Sequence, residues 1–311
     1  MACPTRKWAP PSPDFTTSRL TTLDETPPSD SRLHRLTRPL VVRFLRETAR
    51  GPLVEALPGE PGRRSFPSRV AAGLLRSTGR CVGRFLSAER KVAIQEALIN
   101  RYRIPVNWQP RAALEETFER CLARLVAAEG ESPGDYLEFG VYQGNSMVCM
   151  HRALEKLGLD TVRLFGFDSF AGLPESADLD GIWSPGQFRS DVEFTRHLMT
   201  EAGVDWSRTH LIEGFFDQVL RPSTASELGI ERAAVIMIAS DLYTSTLEDL
   251  DFCTPVIEKR FIVLFDDWES TDAHHGEKRA FTEFLARHPD LEARDLDPYH
   301  GRARVVELSS T

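Results

Sequence analysis

Residues 136–146 read YLEFGVYQGNS. An apolar run meets an acid, Glu138, and two glycines four positions apart, Gly140 and Gly144, lead into Asn145 and Ser146. This is the form of a buried strand that turns directly into a helix. What such a strand end would hold is left open by these residues: a nucleotide's phosphates, a cofactor without phosphate, or nothing beyond an ordinary turn.

Downstream, the same form repeats. VRLFGF, THLIEG, AAVIMIA and RFIVLF are short apolar runs separated by helical patterns, and LEARDL and ARVVEL flank the end after the helix EKRAFTEFLARH. Near-continuous apolar strands alternating with helices predict an α/β fold: a Rossmann-like, mainly parallel seven-stranded sheet with helices on both faces. Upstream, the pattern is different. Residues 1–31 are rich in Pro, Ser and Thr and are expected to form a disordered tail. Residues 32–130 carry apolar residues at helical spacing with arginines between them, and predict a helical extension or lid. The third unit, residues 131–311, is the sheet domain.

At 311 residues with 41% apolar content the chain can bury a full core. It has no long apolar run that would cross a membrane and no secretory leader at its N-terminus, so a cytoplasmic protein is expected. The five cysteines are scattered without ligand spacing and read as buried apolar residues. The net charge of −8 conceals an asymmetry. Residues 1–103 hold 19 Lys and Arg against 9 Asp and Glu, a net of +10, which leaves −18 for the remainder. A basic arm beside an acidic body is expected to pack on that body, and no nucleic-acid motif accompanies it.

In a doubly wound sheet, ligands sit beyond the carboxyl ends of the strands. Those ends carry Glu138, then Asp168 and Ser169, then Glu213, Gly214, Phe215 and Phe216, then Asp241, and then Asp266 and Asp267. A dinucleotide would call for Gly-x-Gly-x-x-Gly, which is absent. An acid beside the turn repels phosphate and suits an ammonium, and Asp168 is placed to accept from two ribose hydroxyls. Together they point to S-adenosylmethionine, with Glu138, Gly140, Tyr142, Gly144, Asn145, Ser146, Asp168, Ser169, Gly214 and Phe216 as the cofactor-binding set.

The blocks YLEFGVYQGNS, FGFDSFAGLPE, ASDLYTST, FDDW and GEKRAFTEFL, in this order, resemble the TylF/MycF-type class I S-adenosylmethionine-dependent O-methyltransferases, whose known members methylate sugar hydroxyls of macrolides. The resemblance covers roughly residues 136–308. It implies metal-assisted transfer of a methyl group to a hydroxyl of a small-molecule natural product, a sugar or polyol. It also implies Mg2+ held by Asp241, Asp266 and Asp267. A hydroxyl is a poor nucleophile, and a hard cation on oxygen ligands would lower its pKa.

One position departs from the family. Where the family reads Ile-Asp-x-Asp-Leu-Tyr, this chain has Ile238-Ala239-Ser240-Asp241-Leu242-Tyr243. An acid is missing, so His274 and His275 join Asp241 as candidate catalytic groups, imidazole titrating near neutral pH. Trp268 is a candidate floor for an acceptor sugar, and Tyr142 and Trp183 are candidate pocket linings. The departure also raises an alternative, a catalytically silent S-adenosylmethionine-binding or scaffold protein. A nicotinamide-dependent oxidoreductase is disfavoured by the glycine spacing. No nucleic-acid or membrane partner is expected, and the chain is expected to form a homo-oligomer, a dimer or higher.

Overall fold

A computed structural model describes residue 41 and residues 88–129, 133–180, 183–221, 223–270 and 275–310. The expected tail, the expected extension up to residue 87 apart from residue 41, and His274 lie outside the described residues. Two helices come first, α1 (Ala88–Tyr102) and α2 (Arg111–Glu129). Then β1 (Asp135–Phe139), α3 (Asn145–Leu157), β2 (Leu164–Asp168), α4 (Val192–Glu201) and β3 (Thr209–Glu213) alternate. Two short helices, α5 (Phe216–Val219) and α6 (Thr224–Glu227), lead to β4 (Ala233–Ile238), α7 (Tyr243–Cys253) and β5 (Ile257–Phe265). The chain closes with α8 (Gly276–Arg287), β6 (Leu291–Leu296) and β7 (Arg304–Ser310).

The strands form one seven-stranded sheet in the order β3-β2-β1-β4-β5-β7-β6. β1 to β5 are parallel, whereas β7 runs antiparallel to both β5 and β6. Every residue of β1 and of β4 is buried, because helices cover both faces of a parallel sheet. Side-chain alternation divides the core in two. Tyr136, Leu164, Met237, Ile262 and Leu264 face α2 and α3, while Leu137, Phe139, Phe167, Ile238, Val263 and Phe265 face α7 and α8.

The apolar stripe of α2, Leu114, Phe118, Cys121, Leu122 and Leu125, lies wholly within the first of these cores. A helix that the sequence groups with the extension thus packs as part of the sheet layer. Each fully buried Leu or Phe of this stripe contributes about 2 kcal/mol of transfer free energy. Ahead of α2, Ile99 of α1 and Ile104 and Val106 of the following link form a small cluster against Trp108 and Tyr142. That cluster brings the link over the carboxyl ends of the strands. The sheet order reverses between β1 and β4, and there the site lies.

Candidate active site

The turn after β1 is built by close approach. Gly140 has φ +90°, and a Cβ there would stand 2.2 Å from the carbonyl oxygen of Ala239 on the neighbouring strand end. No side chain can occupy that space. Tyr142 also takes a left-handed φ of 52°, and Gly144, at φ +77°, precedes the first turn of α3. Three left-handed residues in five fold the chain back tightly enough to leave the start of α3 beside β2.

Asp168, at the end of β2, fixes this turn. One carboxylate oxygen accepts the backbone N–H of Tyr142 at 2.7 Å and the other accepts that of Phe170 at 2.7 Å. Burial raises its pKa, and the backbone hydrogen bonds oppose the rise. Each oxygen retains lone-pair capacity for a further donor. Ser169 has a different part: its hydroxyl donates to the Gly172 carbonyl at 2.9 Å and accepts from Ala171 N–H, which shapes the loop after β2.

Glu138 is fully buried, with both carboxylate oxygens taken from within the chain. Ser146 Oγ donates to one at 2.6 Å and Tyr136 Oη to the other at 2.6 Å. Burial pushes its pKa up to about 8 against these hydrogen bonds, and the negative charges of Asp168 and Asp266 add to the rise. The acid that the sequence assigns to an ammonium therefore braces the turn from beneath. Gly214 N–H donates to the Asp168 carbonyl at 2.9 Å, so the β3 end joins the same edge. Phe216 meets Phe139 edge-on at 6.0 Å and packs against the second core. Trp183 and Tyr142 both contact Phe188, at 5.5 and 6.4 Å between ring centroids.

The ends of β4 and β5 carry the acids. Asp241 sits at φ 63°, a conformation that Asp tolerates better than most residues. It is buried, and its Oδ1 has no hydrogen-bond partner. Burial drives its pKa well above the ordinary value, and the neighbouring charges of Asp267, Glu277 and Asp266 add to this. Asp267 accepts from Ser270 Oγ at 2.7 Å and lies 3.8 Å from the Arg302 guanidinium. Asp266 accepts three hydrogen bonds. Tyr299 Oη and His300 Nε2 reach one oxygen, the histidine at 2.9 Å, and Gln109 Nε2 reaches the other at 3.1 Å.

Among the described residues, no group of three or more His, Cys, Asp and Glu side chains converges to hold a metal ion as it stands. The donor chemistry nevertheless fits a hard cation: the groups are all carboxylates, Asp241 is affected by the charges of Asp266 and Asp267, and Asp241 Oδ1 is buried without a partner. Glu277, on the first turn of α8, adds a fourth carboxylate. It is 1% exposed, with Oε2 unpartnered and its pKa raised by burial first and then by the charge of Asp267.

His275 is exposed and immediately precedes α8. A further imidazole, His300, contacts an acid of the site. Arg302 N–H donates to its Nδ1 at 3.1 Å, so Nε2 carries the proton donated to Asp266. Trp268 packs on Phe265 at 5.2 Å, with the Arg304 guanidinium 4.4 Å over its ring. Gln109, Glu277, Tyr299 and His300 went unread in the sequence. No strand end marks any of them, although Glu277 stands in the block GEKRAFTEFL that carries the resemblance.

Comparison with known proteins completes the picture. The profile of the macrocin-O-methyltransferase (TylF) family matches residues 111–293, more than half of the chain, from the start of α2 into β6. The chain belongs to this family. It is accordingly an S-adenosylmethionine-dependent methyltransferase. A curated relative, the 8-demethyl-8-(2,3-dimethoxy-alpha-L-rhamnosyl)-tetracenomycin-C 4'-O-methyltransferase of Streptomyces olivaceus, is 28% identical over 195 residues, covering 56% of this chain and 72% of that protein. The solved O-methyltransferase NovP superposes with a TM-score of 0.53 at 21% identity, over 64% of this chain and 80% of that one. It shares the fold. The TylF family profile begins at residue 111, the first residue of α2, in keeping with that helix's place in the sheet core.

Proposed function

We propose that this TylF-family protein transfers the methyl group of S-adenosylmethionine to a hydroxyl of a small-molecule natural product, a sugar or polyol. The observation that carries the acceptor class is the curated relative, whose name specifies a 4'-O-methyl transfer on a rhamnosyl compound. In this reading the donor lies along the ends of β1 to β3. The Asp168 carboxylate accepts from the ribose hydroxyls, and the Gly140 to Ser146 turn cradles the amino-acid end. The acceptor hydroxyl faces the ends of β4 and β5.

The hydroxyl oxygen forms a bond to the methyl carbon as the carbon–sulfur bond breaks, the sulfonium becomes a thioether, and the hydroxyl proton leaves. Asp241, buried at that edge, is the proposed proton acceptor through the carboxylate oxygen that the metal would leave free. Asp241, Asp266 and Asp267 would hold Mg2+, and that ion would supply Lewis-acid lowering of the hydroxyl's pKa. The alternative proton acceptors are His275, immediately ahead of α8, and His274, which precedes it in the sequence. We read the protein as cytoplasmic and homo-oligomeric; no helix among the described residues is long and apolar enough to cross a membrane.

The test is incubation with methyl-labelled donor and a panel of glycosides, polyols and non-sugar phenols. Transfer to glycosides or polyols that is lost in Asp241→Asn supports the reading. Tight S-adenosylhomocysteine binding with no transfer to any acceptor overturns it in favour of a silent binding protein, the alternative that Ala239 favours.

A further inference from the structure

Between α1 and α2 an extended link, residues 104–110, passes over the donor turn and is clamped there by side-chain amides. Gln143 accepts Val106 N–H through Oε1 at 2.7 Å and donates Nε2 to the Ile104 carbonyl at 3.3 Å, as a paired strand would. Two residues on, a second chain of bonds begins. Arg111 Nε donates to Asn145 Oδ1, Asn145 Nδ2 donates to Gln109 Oε1 at 3.0 Å, and Gln109 Nε2 donates to Asp266 Oδ2 at 3.1 Å.

The polarity of this chain is fixed. Arginine only donates and an ionised carboxylate only accepts, so neither intervening amide can be flipped without losing a bond at both ends. The two amides thus link the guanidinium to Asp266 through three hydrogen bonds in series. Asn145 is the first residue of α3 and belongs to the donor turn; Asp266 immediately follows β5, on the acceptor side. Among the described residues, Gln109 is the side chain that joins the two.

We infer that Gln109 is a positioning residue for methyl transfer: it ties the donor turn at Asn145 to the Asp266 carboxylate, so that ordering of the turn by the donor also sets the acid on the acceptor side. The inference rests on the reading above that the β5 end faces the acceptor. Tyr299 and His300 hold the other oxygen of Asp266, so removing Gln109 frees the carboxylate to rotate about those two bonds. A misalignment of this kind lowers the rate of the chemical step and leaves the affinity for either substrate nearly unchanged.

The experiment compares wild type with Gln109→Met, which keeps the length of the side chain and removes both hydrogen bonds. Expected is a fall in kcat on the order of 10-fold. The acceptor KM and the Kd for S-adenosylhomocysteine should stay within about twofold, since ground-state binding is untouched. In an Asp266→Asn background the same substitution should add less than about twofold, because two groups acting as one unit are non-additive. A loss of thermal stability and donor affinity with kcat unchanged would mark Gln109 as merely structural and overturn the inference, as would full additivity with Asp266→Asn.

A second readout needs no acceptor. Hydrogen exchange should show S-adenosylhomocysteine protecting residues 104–110 and 263–268 in wild type, with protection of 263–268 lost in Gln109→Met. Persistence of that protection in the variant refutes the coupling. Absence of turnover in wild type with the coupling intact refutes the acceptor reading alone.

Discussion

Asp168 accepts the backbone N–H of Tyr142, twenty-six positions earlier in the chain, at 2.7 Å. The acid that ends β2 thereby braces the turn that follows β1 in its left-handed form. Asp168→Ala removes both this bond and the acceptor proposed for the ribose hydroxyls. Calorimetric titration should show S-adenosylhomocysteine affinity weakened by about 2 kcal/mol, the worth of charge-assisted hydrogen bonds. Unchanged affinity would exclude the site.

Gly140 offers a sharper test of the same turn. A methyl group there meets the backbone of Ala239, which cannot move without parting β1 from β4. Together with the left-handed φ, this predicts that Gly140→Ala costs on the order of 3 kcal/mol. The check is chemical denaturation; a variant of wild-type stability would show that the strand ends have room to separate.

Glu138 predicts a pH dependence with a definite sign. Its folded pKa of about 8 lies above the ordinary carboxyl value, so the folded state binds the proton more tightly than the unfolded chain. The resulting stability is fully present below the unfolded pKa near 4 and is lost as pH rises through about 8. Thermal melts of the donor-free protein from pH 5 to 9 should show a declining Tm, and Glu138→Gln should flatten the decline. A wild-type Tm that climbs over this range would contradict the assignment.

Glu307 has the opposite sign. Burial raises its pKa, but hydrogen bonds from Arg124 at 2.7 and 2.8 Å and from Arg260 at 2.7 Å outweigh that effect and hold it below the usual value. Its contribution is present above the unfolded pKa and is lost as pH falls through the lower folded value. Glu307→Gln should cost about 2 kcal/mol at pH 7, because it leaves two arginines without their shared charge. The difference from wild type should shrink in acid; a constant difference down to the acid transition would rule the linkage out.

Magnesium binding can be measured apart from turnover. If Asp241 and Asp267 contribute ligands, added Mg2+ should raise the Tm of wild type and not that of Asp267→Asn, by preferential binding to the folded state. Equal shifts in both proteins would remove Asp267 from the ligand set.

The strands were legible because a parallel sheet covered on both faces turns each strand into an apolar run, as in Ala233–Ile238. The acids were legible because they terminate those runs: Asp168 is the last residue of β2, Asp266 lies one residue beyond β5, and Asp241 lies three residues beyond β4. What accompanies them was not. Gln109 reaches Asp266 from 157 residues away, and Tyr299 and His300 from 33 and 34, so no local period or spacing could announce them. Glu138 shows a different gap. Its place at a strand end was readable, but the direction of its side chain depends on Tyr136 and Ser146 lying on the same face of the sheet. The α2 stripe was read as an amphipathic helix, yet its assignment to the sheet layer needed the packing itself.

The antiparallel β7 lies between β5 and β6, although β6 precedes it in the chain. During synthesis, β5 leaves the ribosome with a row of unpaired N–H and C=O groups along one edge, and the strand that covers it follows about forty residues later. A stalled or prematurely released nascent chain therefore displays an open, strongly apolar edge headed by Phe261, Ile262, Val263 and Leu264. Such an edge is a template for intermolecular pairing. For this topology, the β5 edge stays open until residues 304–310 have been made.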